Sequence, residues 1–226
     1  MNNKTDKISI SNSYFRDIIG LDVAEISREN ISVVELFGKY VIDTSYFSAS
    51  KCLNFFKSLG YKIGKQSILN LEKNSQESYL FFFVPIFSNN IKDRSQYPRK
   101  SYLGDTGFMY SISGKKDKGR LFENSVFLEL KRRTAQNQEI NYWKNRDGIE
   151  ADFVIREGLK IKEIIQVVYD LDDEKTKQRE IKGLTACAKE FKSKKGTIIT
   201  KDYEAVEIVD EIKIEFTPLR KWLLKK

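Results

Sequence analysis

From residue 119 to residue 219 the chain changes its apolar period in a fixed order, and that order leaves few folds open. GRLFENSVFLELKRR (119–133) has helical spacing. EINYWKN (139–145), GIEADFVIREG (148–158) and IKEIIQVVYDL (161–171) are strand-like, the first two joined by a hairpin signal at Arg146-Asp147-Gly148. TKQREIKGLTACAKEF (176–191) returns to helical spacing, and GTIITKD (196–202) and EIKIEFTPL (211–219) read as strands. Helix, three strands, helix, strand predicts an α/β sandwich. In the third strand Ile164, Gln166 and Val168 share one face, and Ile165, Val167 and Tyr169 share the other. Both faces are largely apolar, as in a central strand covered on both sides.

Three polar residues fall at chosen points of this pattern. Glu123 shares a helix stripe with Phe127 and Leu130, and a carboxylate there needs a partner. The reading puts it in the first helical turn, where the helix dipole also favours it, so a structural role bonding loop amides stays open beside metal ligation. On the second strand Asp152 lies on one face with Glu150 and Val154. One or two inward acids at the open end of a sheet suit Mg²⁺, which takes carboxylate oxygens and keeps several waters. An ion pair with Arg146 or Arg179 is the structural alternative for Asp152. Gln166 on a covered strand must find hydrogen-bond partners, either a metal or Asp152.

Residues 30–88 follow a different order. SVVELFGKYVI (32–42) and SASKCLNFFKSLG (48–60) read as helices, the second with Ser48 or Ser50 as cap and Gly60 as stop. GYKIG is a turn, KQSILNLEKNSQES (65–78) a third helix, and YLFFFVPIFS (79–88) a strand. Helices followed by an aromatic strand give the order of a winged helix, with the third helix as candidate recognition helix. It is expected to expose Lys65, Gln66, Asn70, Lys73, Asn74 and Gln76 to phosphates or base edges. A three-helix unit that contacts protein only is the competing reading. NNIKDRSQYPRKS (89–101) reads as a basic connector that adds Arg99 and Lys100 to the DNA-facing set, and YLGDTGFMYSI (102–112) as a short strand and turn.

Composition narrows the chemistry. The chain has 226 residues, 40 % hydrophobic, which suffices for one large or two small domains. It contains no histidine, which excludes Ser-His-Asp and Cys-His catalysis and His-ligated zinc. Cys52 and Cys187 form no CxxC pair and read as buried thiols of a reducing compartment. No GxxxxGK[ST] loop is present, so no ATP site of that kind is expected in this chain. No apolar run approaches the roughly 18 residues of a membrane span, and the first residues lack the apolar stretch of a signal peptide, so a cytoplasmic protein without membrane partners is expected. The net charge is +8, concentrated in clusters at Lys92, Arg94, Arg99 and Lys100, at Lys115, Lys116, Lys118 and Arg120, and at Lys189, Lys192, Lys194 and Lys195. Such patches favour polyanions, with solvated surface as the plain alternative.

The phrases YPRKSYLGDTG, GRLFENSVFLELKRR, INYWKNRDGIEADFVI, IIQVVYDL, KTKQREIKGL, GTIITKD and PLRKWLL occur in this order from Tyr97 to Leu224. With the helical unit before them, from about Ser13, they resemble the C-terminal half of AAA-type ATPases common in archaea and some bacteria, the class carrying the domain of unknown function DUF4143. The resemblance implies a winged-helix domain (13–88), a connector (89–101) and a three-layer nuclease-like domain of the PD-(D/E)XK fold (102–226), following an ATPase domain in full-length members. In that fold the helix Glu, the strand Asp and the acid or amide of the next strand form the catalytic set and hold Mg²⁺ or Mn²⁺, and a Lys two residues later polarises the attacking water. Glu123, Asp152 and Gln166 match the set. The Val167 backbone carbonyl would join Glu123 and Asp152 around the metal, and Val168 stands where the Lys is expected. Lys162, Lys131 and Lys177 are the candidates for a relocated Lys. Three functions therefore stay open: a DNA-associated module of an ATPase system with weak or absent cleavage, an active Mg²⁺-dependent nuclease, and a scaffold that docks an ATPase or further copies of the chain.

Overall fold

The structure is a computed structural model, and it describes residues 4–88 and 96–225. The chain forms two compact units, one of residues 1–84 and 98–116, the other of residues 85–97 and 117–226. This differs from a split at 89–101, because the chain returns to the first unit at Pro98 before entering the second for good.

The first unit begins with helix α1 (Lys4–Asp17), a π-helical stretch (Ile18–Ala24) and the short α2 (Glu25–Ser27). The sequence signal here is weak because α1 is polar and, among the described residues, the segment buries only Phe15, Ile19, Val23 and Ala24. Helix α3 (Ile31–Asp43) starts where the Asn30 side chain accepts a hydrogen bond from Ser32 N. Strand β1 (Tyr46–Phe47) leads into α4 (Ala49–Ser58), whose Ser48 makes no side-chain cap bond. Gly60, at φ +83°, ends that helix as expected. Then come α5 (Lys65–Glu77), β2 (Phe81–Val84), β3 (Arg99–Leu103) and α6 (Gly107–Ser113). The three strands form an antiparallel sheet in the order β1-β3-β2. Phe37, Phe47, Phe56 and Phe81 fill the core beneath it. The end of the expected connector is thus strand β3, and the expected turn after it is helix α6.

In the second unit Asp117 caps α7 (Lys118–Arg133), its side chain accepting from Arg120 N at 2.9 Å. Strands β4 (Gln138–Lys144), β5 (Glu150–Glu157) and β6 (Lys160–Val168) form an antiparallel meander. Asp173 caps α8 (Glu174–Glu190), which crosses over so that β7 (Lys195–Thr200) lies parallel to β6. Strands β8 (Ala205–Val209) and β9 (Ile212–Pro218) and the short α9 (Leu219–Leu224) complete the unit. The sheet order is β4-β5-β6-β7-β9-β8. Helix α8 packs on one face against Val154, Ile164, Val168 and Ile198, and on the other side Phe127 of α7 stacks on Phe153 of β5 at 6.4 Å. Pro85 and Phe87 cover the outer edge of β4: Tyr142 N donates to Pro85 O and Phe87 N to Tyr142 O.

Candidate functional site

The parallel and antiparallel parts of the second sheet meet at β6, and a cleft of about 450 Å³ opens beside its end. Glu123, Asp152, Gln166 and Val167 all line it, so residues 44 positions apart in the chain reach one surface. Glu123 is half-buried on the second turn of α7, not the first, which carries no acid. The favourable dipole position expected for it is therefore not where it sits.

Asp152 is buried on β5. Its Oδ2 accepts from Val167 N at 2.9 Å, and its own N–H donates to Gln166 Oε1 at 3.1 Å. The Gln166 side chain bridges onward, donating Nε2–H to Oε2 of Glu180 on α8. Arg179 Nε and Nη2 donate to the other oxygen, Glu180 Oε1, at 3.0 and 2.6 Å. Glu180 is only 5 % exposed; its hydrogen bonds and its charge, with a smaller contribution from Asp152, hold the Arg179 guanidinium above its ordinary pKa. A buried carboxylate is tolerated because both of its oxygens are satisfied.

The sequence reading missed Glu180 and Lys182 and offered Arg179 only as an ion-pair partner of Asp152; all three line the cleft. They sit in the charged run KTKQREIK, which reads as a solvated face. The one available signal was spacing: Glu180, Gly183, Leu184 and Cys187 share a helix side, and all are buried. Gly183 lets α8 approach so closely that a Cβ there would stand 2.3 Å from Glu150 O. Val168 packs in the apolar cluster under α8, where a Lys ammonium would be desolvated. Of the lysines considered as substitutes, Lys162 pairs with Glu157 at 2.6 Å and Lys177 with Glu207 at 2.6 Å, and Lys131 does not line the cleft.

The fit of a divalent cation depends on free carboxylate oxygens gathered at one point. Among the described residues no group of three or more acidic or cysteine side chains could hold a metal ion. Asp152 Oδ2 faces a backbone N–H, and the oxygens of Glu180 face an amide and a guanidinium. The expected set of Glu123, Asp152 and the Val167 carbonyl supplies two carboxylates, fewer than such a group.

In the first unit Lys65, Gln66, Asn70 and Lys73 share the exposed face of α5. Gln66 Nε2 donates to Asn70 Oδ1 at 3.0 Å, and Lys73 lies 3.7 Å from Glu77. Asn74, expected on that face, is 8 % exposed, and Gln76 Oε1 accepts from Phe83 N. Arg99 forms an ion pair with Glu72, and Lys100 is 6 % exposed. Strand pairing of β3 draws both away from the connector surface expected for them. Lys92 and Arg94 lie outside the described residues. In the other clusters Lys115 pairs with Asp43, Lys189 with Asp210 and Lys194 with Glu211.

Residues 118–222 match the family model described as a domain of unknown function, DUF4143. The chain is 34 % identical over 227 residues to an uncharacterized protein of Methanocaldococcus jannaschii, covering 96 % of this chain and 50 % of that protein. The chain therefore spans about half the length of this relative. No solved structure matches the chain. No described helix is long and apolar enough to cross a membrane.

Proposed function

We propose that the chain is a DNA-associated module of an ATPase system, in which a winged helix is joined to a PD-(D/E)XK-like domain that does not cleave. The reading rests chiefly on element order. In the first unit α3, β1, α4, α5, β2 and β3 follow one another with sheet order β1-β3-β2, which is the connectivity of a winged helix. In the second unit α7, β4, β5, β6, α8 and β7 follow as helix, three strands, crossover helix and parallel strand. On this reading the cleft, lined by five carboxylates, corresponds to the nuclease site, and Val168, packed in the apolar core beside it, stands where the Lys is expected. An acidic cleft repels a phosphodiester, so DNA contact falls to the exposed face of α5. The matched family is consistent with the C-terminal part of ATPase-like proteins, and an ATPase is the partner this reading assigns.

Fluorescence anisotropy with duplex and branched DNA across a salt series tests this. The affinity is expected to fall with salt, because phosphate contacts release counterions. Lys65→Ala with Lys73→Ala should weaken binding and lower the salt slope by about one per lysine. No binding at low salt would sink the DNA reading. Plasmid incubated with Mg²⁺ or Mn²⁺ should stay intact, and cleavage abolished by Asp152→Ala would show an active nuclease instead.

A further inference from the structure

The acid pole of the cleft contains a cation of its own. Arg179 places two N–H groups on Glu180 Oε1, and its charge also interacts with Asp152. Gln166 completes the arrangement from the other side. Its Oε1 faces the Asp152 N–H and its Nε2–H faces Glu180 Oε2. An acid at position 166 would face the Glu180 carboxylate across that short contact, with both groups about 95 % buried, and two like charges there cannot both ionise. The amide at 166 and the carboxylate at 180 are therefore coupled choices. With Gln on the strand, an acid has its place on the helix, and the adjacent Arg179 neutralises it.

We propose that Arg179 is a built-in counter-ion that closes the acid pole of this cleft to divalent cations. The guanidinium supplies positive charge next to Glu180 and Asp152, where a metal would otherwise be drawn. The Val167–Asp152–Gln166–Glu180 chain of hydrogen bonds ties β5, β6 and α8 together, and the guanidinium neutralises the carboxylate at its end. The Arg179 side chain is 73 % exposed, so it can be removed without opening a core cavity.

Mn²⁺ titration of the full chain, followed by electron paramagnetic resonance, is the test. Binding at the cleft is the part lost on Asp152→Asn. The unmodified protein should show no such component. Arg179→Ala should gain one Mn²⁺ per chain, with a rise in thermal midpoint on adding the ion. Arg179→Ala combined with Glu180→Gln should lose it again. If Arg179→Ala does not fold, Arg179→Gln serves in its place. Stoichiometric cleft binding by the unmodified protein overturns the proposal. So does an Arg179 variant that folds and gains nothing, or a double variant that still binds. DNA affinity is read separately, so either reading can fail alone.

Discussion

The two cysteines sit in the two cores, Cys52 on α4 and Cys187 on α8, and both side chains are fully buried. Burial pushes the Cys52 thiol up to about 12, with Glu72 adding to the effect, and burial pushes Cys187 up as well, with Glu190 adding. The thiolate is the reactive form, so at pH 8 a pKa near 12 leaves roughly one Cys52 thiol in ten thousand ionised. Neither thiol should react with Ellman's reagent in the native protein at neutral pH, and two equivalents should react after unfolding in guanidinium. Fast reaction of one equivalent in the native state would show that one core opens locally. Glu72 behaves in the same direction for the same cause. Desolvation raises its pKa, and the opposing effect of Arg99 beside it is smaller. Each unit thus carries at least one titratable group held in its neutral form, or drawn toward it, chiefly by burial.

Helix α8 is the element on which the cleft depends. A glycine inside a helix normally costs about 1 kcal/mol relative to alanine, so Gly→Ala in a helix interior is often stabilising. At Gly183 the sign reverses, because a Cβ would meet Glu150 O at 2.3 Å and stand 3.7 Å from Gln166 Nε2. Gly183→Ala should therefore lose roughly 1–3 kcal/mol, the usual cost of overpacking, measured by urea denaturation. A stabilised variant would mean that the helix does not lie this close to β5. The same element explains what could be read from the sequence. The alternation in β4, β5 and β6 and the apolar faces of β6 were legible, and with them Asp152, Gln166 and Glu123. Glu180 was not, because its burial follows from the close approach at Gly183 and from the amide of Gln166, and its helical spacing with Gly183, Leu184 and Cys187 is masked by the charged run around it. Strand β8 escaped because it presents Val206 and Ile208 to solvent while its inward side, Ala205, Glu207 and Val209, is only half-buried, so no apolar alternation marks it. Helix α6 read as a turn, since GFMYSIS is rich in residues that favour strands.

At the scale of the whole molecule the chain passes between its units three times, and the family match records only part of the second unit. It begins at residue 118, whereas residues 85–97 belong to the same compact unit. That earlier segment has a physical task. Tyr142 is 1 % exposed and Asn141 fully buried, and both bond to Pro85 O, through Tyr142 N at 3.1 Å and Asn141 Nδ2 at 3.3 Å. Phe87 packs edge-on against Phe191 at 4.7 Å and lies under the Arg156 guanidinium at 5.7 Å. A fragment of residues 117–226 loses this cover. It exposes the β4 edge and the aromatic surface of Phe191, and an uncovered apolar edge is a template for aggregation. Its buried polar groups also lose their partners, at about 1–3 kcal/mol for each one left unsatisfied. The fragment should therefore bind a hydrophobic dye and lack a cooperative urea transition. In the full chain Phe87→Ala should cost about 3–5 kcal/mol while leaving the transition cooperative. A fragment that unfolds cooperatively at the same urea concentration as the full chain would make the matched domain self-sufficient, and residues 85–87 would be a passing contact. A fragment that fails while Phe87→Ala survives would fix the boundary of the folding unit at Pro85, upstream of the point where its sequence becomes recognisable.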